Sequence, residues 1–170
     1  MAPKEFDPSA DPTVLNVARV MSHVVQKGVQ AGGVLGVGLV APIVLAVHKY
    51  QGGDMKSAVP KVADALAKTT MTTVALSVAM GATRLARSED GLKEGAERRA
   101  YRLHYNKRAE RANLFANVGI AAGGAAAVAF LPATATMVLG GATVGAAAGV
   151  AAFVLSTPKK EVKLPAVADM

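Results

Sequence analysis

The feature that most constrains this chain is a pair of glycine-punctuated stretches, residues 31–47 and 114–155, that contain no charged side chain. Helices of this composition carry apolar surface on every face, for which a water-soluble domain has no use. The 170 residues are 52% hydrophobic and include 17 glycines and no tryptophan. The sequence therefore predicts an all-α, multi-pass membrane protein.

Four Gly/Ala-rich spans are predicted, each near the roughly 20 residues that cross about 30 Å of hydrocarbon. Pro42 is expected to kink the first span, Pro60 to begin the second helix, and Pro132 to mark the bend of a hairpin formed by the last two. An amphipathic, interfacial helix is predicted over 13–30. The resulting organisation is an N-terminal tail and amphipathic helix (1–27), a four-helix membrane domain (28–156) and a C-terminal tail (157–170), with spans at about 28–47, 67–85, 114–133 and 134–156.

Small residues recur at four-residue spacing within these spans. Such spacing forms a groove along one helix face, into which a neighbouring helix can pack at short interaxial distance. We expect these grooves to serve packing within the chain, with contact to another subunit as the alternative. The predicted helix-packing glycines are Gly28, Gly32, Gly36, Gly119, Gly123, Gly141, Gly145 and Gly149.

A basic segment over 86–113 connects the second and third spans. Residues 84–111 hold nine lysines and arginines against five acids and so carry most of the net charge of +7. It predicts an extramembrane helix over 92–113, with Glu94 and Arg98 paired on adjacent turns. Tyrosine beside arginine at a membrane boundary suits anionic headgroups such as cardiolipin, at about 1 kcal/mol per basic residue. Nucleic acid is the rival ligand, but no binding module fits and acids are interspersed, so no nucleic-acid partner is predicted. The predicted headgroup contacts are Arg98, Arg99, Tyr101, Arg102, Tyr105, Lys107, Arg108 and Arg111.

No motif of the chain predicts catalysis, a cofactor or a metal. The chain has no cysteine, which excludes disulfides and thiolate metal sites within it. The glycine runs lack the Walker and dinucleotide signatures, and no Ser-His-Asp or His-Glu-x-x-His arrangement is present. His23 has no ligand-forming neighbour one turn away and is expected on a polar helix face. Asp64 and Lys68 are expected to pair, with a proton-relay carboxylate as the alternative for Asp64.

Orientation and targeting are predicted from charge. The amino terminus shows neither a secretory signal nor an Arg-rich presequence, which predicts internal targeting information. With four spans, every lysine and arginine except Lys49, Lys56, Lys61 and Lys68 falls on one side. The positive-inside rule then places both termini in the cytoplasm or matrix.

The four short Gly/Ala-rich spans and the segment Gly140-Gly141-x-x-x-Gly145 resemble the import-channel family of the mitochondrial inner membrane. They also resemble that family's relative among the accessory subunits of respiratory complex I. The resemblance covers roughly 28–156. It implies the mitochondrial inner membrane as the location and termini in the intermembrane space, opposite to the side that the basic residues predict.

These observations predict a non-catalytic accessory subunit of a large inner-membrane complex, with complex I first and ATP synthase next. Its partners would be other subunits and membrane lipids. The chief alternative is a protein-translocation or small-solute channel component, and a membrane enzyme would need paired acids or histidines at one depth. A channel requires a polar stripe facing a cavity, for which the chain offers the hydroxyls of Thr69, Thr70, Thr72, Thr73 and Ser77. Such hydroxyls more often bond to the backbone of their own helix.

Overall fold

A computed structural model describes residues 6–157, and these residues are helical with no strand. The predicted all-α class is therefore confirmed. A short 3-10 turn, Pro8–Ala10, leads into the first long helix. The helices are α1 (Thr13–Leu35), α2 (Ala41–Tyr50), α3 (Met55–Ala86), α4 (Gly91–His104), α5 (Lys107–Phe130) and α6 (Ala135–Ser156). The C-terminal tail predicted from residue 157 onward lies outside the described residues except for Thr157.

The predicted amphipathic helix and first span are not separate elements. They form one continuous helix, Thr13–Tyr50, in which a π-helical turn, Gly36–Val40, joins α1 to α2. Pro42 lies just after this turn. Because proline lacks an N–H and its ring crowds the carbonyl four residues back, the wider π turn relieves that conflict. The predicted disturbance at Pro42 thus takes the form of a π turn within an unbroken helix.

The second helix begins earlier than predicted. The side chain of Asp54 accepts a hydrogen bond from the backbone N–H of Ser57, 3.1 Å away, and so caps the first turn of α3. The preceding turn has Gly52 at a φ of 74°, a conformation that suits glycine. Pro60 therefore lies inside α3 rather than at its start. The predicted start was wrong because the Asp54 cap begins the helix at Met55, about one and a half turns before Pro60.

The predicted extramembrane helix over 92–113 is interrupted at Tyr105 and Asn106. Asn106 caps a new helix by accepting a hydrogen bond from the backbone N–H of Ala109, 3.0 Å away. The polar residues after it continue directly into the predicted third span, and α5 ends at Phe130, three residues earlier than predicted. The last helix, Ala135–Ser156, agrees with its predicted bounds to one residue and is capped by Thr134.

Within residues 6–157, three helices are long and apolar enough to cross a membrane: Thr13–Tyr50, Lys107–Phe130 and Ala135–Ser156. The predicted second span lies in α3, which is not among them. Its Lys68 and its threonines lower the mean hydropathy of the segment. The structure therefore has three candidate membrane-spanning helices.

The long helices pack side by side in alternating directions. α1 and α3 are antiparallel, since Gly28 faces Val74 while Gly36 faces Leu66. α5 and α6 form an antiparallel hairpin, and α6 also packs against α1 and α3. α4 lies across one end of the α1/α3 pair, where Val20, Leu85 and Ala96 form a buried apolar cluster. This corner between α1, α3 and α4 holds the cleft described next.

Candidate anion-binding cleft

A cleft of about 420 Å³ opens between α1, α3 and α4. α1 and α3 approach closely beside it because Gly81 has no side chain, and a Cβ there would lie 3.0 Å from Cγ1 of Val24. Ala96 and Ala100 are buried and let α4 sit close to its neighbours. Its lining combines apolar residues, Val20, Val24, Met80, Gly81 and Leu103, with the basic residues Lys27, Arg84, Arg99 and Arg102.

The four basic side chains come from three helices. Lys27 lies on α1, Arg84 in the last turn of α3, and Arg99 and Arg102 on α4. A guanidinium nitrogen of Arg99 donates to the backbone carbonyl of Arg84, 3.1 Å away, which ties α4 to the end of α3. The ammonium of Lys27 donates to the side-chain oxygen of Gln30 at 2.8 Å.

No acid lines this cleft, and within residues 6–157 none of its four cations forms an ion pair. Lys27 and Arg99 are half-buried, whereas Arg84 and Arg102 are exposed. Four like charges around one cavity repel one another, and a bound anion would offset that repulsion. The electrostatics of the cleft therefore favour a negatively charged ligand over a neutral one.

A second, smaller cleft of about 300 Å³ adjoins the first and shares Arg84, Arg99 and Arg102 with it. Here acids are present, and the guanidinium of Arg98 pairs with the carboxylate of Asp90 at 2.8 Å. The predicted pairing of Arg98 with Glu94 is therefore wrong. Asp90 precedes α4 and reaches Arg98 from the turn that leads into that helix.

The eight predicted headgroup contacts do not form one site. Arg99 and Arg102 line the large cleft, Arg98 is paired with Asp90, and Lys107 pairs with Glu110 at 3.2 Å. The others are exposed. The rings of Tyr101 and Tyr105 pack on each other with centroids 4.8 Å apart, and Arg108 and Arg111 lie on the first turns of α5.

Two residues of the cleft were missed as ligands by sequence reasoning. Lys27 immediately precedes the predicted first span, and Arg84 lies at the end of the predicted second one. The sequence feature that the two residues share is their position, since each is a cation at one end of a predicted span. That signal becomes specific only when the register between α1 and α3 is known.

The predicted packing glycines lie at helix contacts. Gly28, Gly32 and Gly36 face α3, where a Cβ at Gly28 would lie 2.8 Å from the Cα of Val74. In the α5/α6 hairpin a Cβ at Gly119 would collide with the carbonyl oxygen of Gly145. The hairpin contact is completed by Gly123, Gly141 and Gly149, each of which faces backbone or side-chain atoms of the opposite helix.

Thr70 and Thr73 of α3 also lie at helix contacts, whereas Thr72 is exposed. Thr69 donates to the carbonyl oxygen of Ala65 in its own helix at 2.8 Å, as expected for such hydroxyls. The hydroxyl of Thr70 lies 3.0 Å from that of Thr143 on α6. Asp64 and Lys68 form the predicted ion pair at 2.7 Å, with both side chains in contact with solvent or lipid.

A buried histidine joins α2 to α3. His48 places Nε2 3.0 Å from the carbonyl oxygen of Asp54 and 2.9 Å from the hydroxyl of Ser57, while Lys61 approaches Nδ1 at 3.2 Å. An ammonium only donates, so Nδ1 accepts and Nε2 carries the proton. With its proton on Nε2, His48 cannot accept the proton of Ser57. The arrangement therefore connects two helices and does not activate a nucleophile.

His23 lines the cleft. Among the described residues, no group of three or more His, Cys, Asp or Glu side chains is placed to hold a metal ion.

The distribution of side chains defines the class of the protein. Buried positions are dominated by glycine and alanine, whereas large apolar side chains such as Leu39, Leu76 and Val118 are exposed on the long helices. Together with three helices of spanning length, this is the pattern of a helical membrane protein.

The chain belongs to the family described as protein of unknown function (DUF1757), whose model matches residues 16–158. No curated protein matches the chain.

Proposed function

We propose that this protein is a non-catalytic structural subunit of a larger membrane complex. The observation that carries the proposal is how the polar groups of the apolar helices are used. Thr69, Thr70, Thr73 and Thr143 all bond to helix backbone or to one another. Groups engaged in this way stabilise a packed helical body, and they are unavailable to a substrate.

The outer surface supports a role in a complex. α5 packs chiefly against α6, and hydrogen bonds from Gln26 to Asn117 and from Gln30 to Asn113 link it to α1.

Gly38 lies on the exposed face of the first long helix, with nothing within 4 Å of the position of a Cβ. An exposed glycine in an apolar helix lets another helix approach closely. We propose that this face docks against a neighbouring subunit.

We further propose that α3 crosses the membrane, which makes four passes. α3 is antiparallel to α1 over the glycines at 28, 32 and 36, and it contacts α6 where Ala63 faces Gly140. A helix that packs along two spanning helices over this length lies at the same depth in the membrane as they do. Its Asp64 and Lys68 pair with each other, which lowers the cost of approaching the bilayer.

We place the complex in the mitochondrial inner membrane, with respiratory complex I first and ATP synthase next. The support is the resemblance described above, at Gly140, Gly141 and Gly145, which lie at close helix contacts. A protein-translocation or small-solute channel is the alternative. It requires hydroxyls that face a cavity. Of the five candidate hydroxyls, those of Thr69, Thr70 and Thr73 bond to helix backbone or to Thr143. Thr72 is exposed, and Ser77 lines the cleft.

The test is native-gel complexome profiling of mitochondrial membranes solubilised in a mild detergent. Comigration with complex I supports the proposal in full, and comigration with ATP synthase keeps the structural role and changes the complex. Migration alone or with precursor proteins contradicts the structural role and favours a channel. Gly38→Leu is expected to reduce comigration. Gly124→Leu, on α5, is the matched control outside the proposed docking face, because a Cβ at Gly124 would meet only the Cβ of Ala142 at 4.0 Å.

A further inference from the structure

We propose that the cleft between α1, α3 and α4 binds one anionic phospholipid, with the phosphate held by the basic side chains and an acyl chain along the apolar ones. This inference rests on the membrane location of the proposed function and not on the identity of the complex. It assigns a single bound lipid, which differs from general attraction of a basic segment to a membrane surface.

The charge of the cleft favours an anion over a neutral ligand. Lys27, Arg84, Arg99 and Arg102 line one cavity, and no acid lies among the lining residues. The adjoining cleft shows the contrast, since its Arg98 is already neutralised by Asp90. Arginine donors in a fixed planar arrangement match phosphate oxygens well. The cleft thus brings four basic side chains together around one cavity, with no acid in its lining.

The depth of the cleft matches the boundary of the bilayer. Along α3 the lining runs from Ser77 to Arg84, a rise of roughly 10 Å at about 1.5 Å per residue. On α1, Lys27 immediately precedes Gly28, where α1 and α3 come into close contact. Arg84, Arg99 and Arg102 therefore lie at the end of the α1/α3 pair that α4 crosses, whereas Lys27 lies deeper, level with Ser77. Val24 and Met80 line the cleft between these two levels.

The size and lining of the cleft favour a lipid over free phosphate. A volume of about 420 Å³ lies in the range of roughly 300–1,000 Å³ typical of small-molecule sites. Val24, Met80 and Leu103 line it, and they offer nothing to an inorganic anion. An acyl chain would cover these side chains while its phosphate met the cations.

The test is native mass spectrometry of the full-length chain, purified in detergent and titrated with dioleoyl phosphatidylglycerol or dioleoyl phosphatidylcholine. We expect one phosphatidylglycerol to bind saturably, in preference to phosphatidylcholine.

The double variant Arg84→Gln/Arg102→Gln should weaken its binding about 30-fold, from about fivefold for each cation near an anionic headgroup. The matched control Arg108→Gln/Arg111→Gln removes the same charge from outside the cleft and should change binding by less than about twofold. Equal losses in the two double variants would mean diffuse attraction and would overturn the proposal.

Two further variants separate lipid from free phosphate and charge from folding. Met80→Trp adds bulk beside the apolar residues at a half-exposed position and should abolish saturable phosphatidylglycerol binding. If it does not, or if inorganic phosphate competes at equal affinity, the site is one for a free anion. Arg84→Lys/Arg102→Lys keeps the charge and should bind within about fivefold of the original chain. Loss equal to that of the glutamine variant, at unchanged helix content by circular dichroism, would contradict the charge argument.

The lipid test and the complexome test fail independently. A chain that binds phosphatidylglycerol but comigrates with no complex retains the lipid site and loses the structural role. A chain that comigrates with complex I but shows no preference for the anionic lipid loses only the lipid site.

Discussion

The hydroxyl of Thr73 on α3 donates to the backbone carbonyl oxygen of Gly28 on α1, 3.0 Å away. The same hydroxyl lies 3.0 Å and 2.9 Å from the carbonyls of Thr69 and Thr70 in its own helix, so one proton is shared among three acceptors. The contact depends on a glycine, because a Cβ at Gly32 would collide with this hydroxyl. Gly32 on α1, which has no side chain, thus leaves room for the hydroxyl of Thr73 on α3, and the two residues form one helix contact.

Thr73→Val is expected to lower the free energy of unfolding by about 0.6 kcal/mol, the average for interhelical hydrogen bonds in a membrane protein. Valine keeps the shape of threonine and removes its donor. The measurement is reversible unfolding in mixed micelles at increasing mole fraction of sodium dodecyl sulfate. Thr72→Val is the control, since Thr72 is exposed on the same helix. Equal effects of the two substitutions would show that the bond to Gly28 contributes nothing.

Two adjacent glycines of α5 should differ sharply when replaced by leucine. A Cβ at Gly123 would collide with the carbonyl oxygen of Gly141, whereas one at Gly124 would meet only the Cβ of Ala142 at 4.0 Å. Gly123→Leu should therefore cost about 3 kcal/mol or more, at the upper end of overpacking effects, and Gly124→Leu much less. Gly145→Leu, on the facing helix, should resemble Gly123→Leu. The same unfolding titration measures all three, and similar midpoints for Gly123→Leu and Gly124→Leu would contradict this hairpin geometry.

The glycine spacing predicted the helix contacts well because close approach leaves a strong sequence signal. Each of Gly141, Gly145 and Gly149 lies against the backbone of α5, where a Cβ would collide. Helix ends were predicted less well, since the caps of Asp54 and Asn106 depend on side-chain geometry that ordinary loops also contain. The cleft was the least predictable feature, because Lys27 and Arg102 come together only through the register of α1 against α4.

The Asp54 cap should make stability fall in acid. Hydrogen bonds from the hydroxyl and then the backbone N–H of Ser57 hold the pKa of the Asp54 carboxyl below its ordinary value. Since the pKa is lower in the folded state, the contribution of the cap is complete above the unfolded pKa of about 3.9. It is lost as the pH falls through the folded value. Stability measured between pH 6 and roughly pH 2 should fall less for Asp54→Asn, which keeps an acceptor but does not titrate in this range. Parallel curves for the two proteins would exclude a role for this cap.

His48→Ala should separate α2 from α3 and cost more than Ser57→Ala. The imidazole is buried and is hydrogen-bonded to Ser57, to Lys61 and to the carbonyl of Asp54. It also fills the space beside Gly53, where a Cβ would collide with the ring. Removing the ring loses its bonds and leaves a void, at about 1–3 kcal/mol. Ser57→Ala removes one of two groups that face Nε2, so about 1 kcal/mol is expected.

The unfolding titration ranks the two variants, and His23→Ala, a histidine with no hydrogen bond to another described residue, should leave the midpoint nearly unchanged. A larger loss for Ser57→Ala than for His48→Ala would mean that the serine holds the junction through its bonds to the backbone of α3 and not through the histidine.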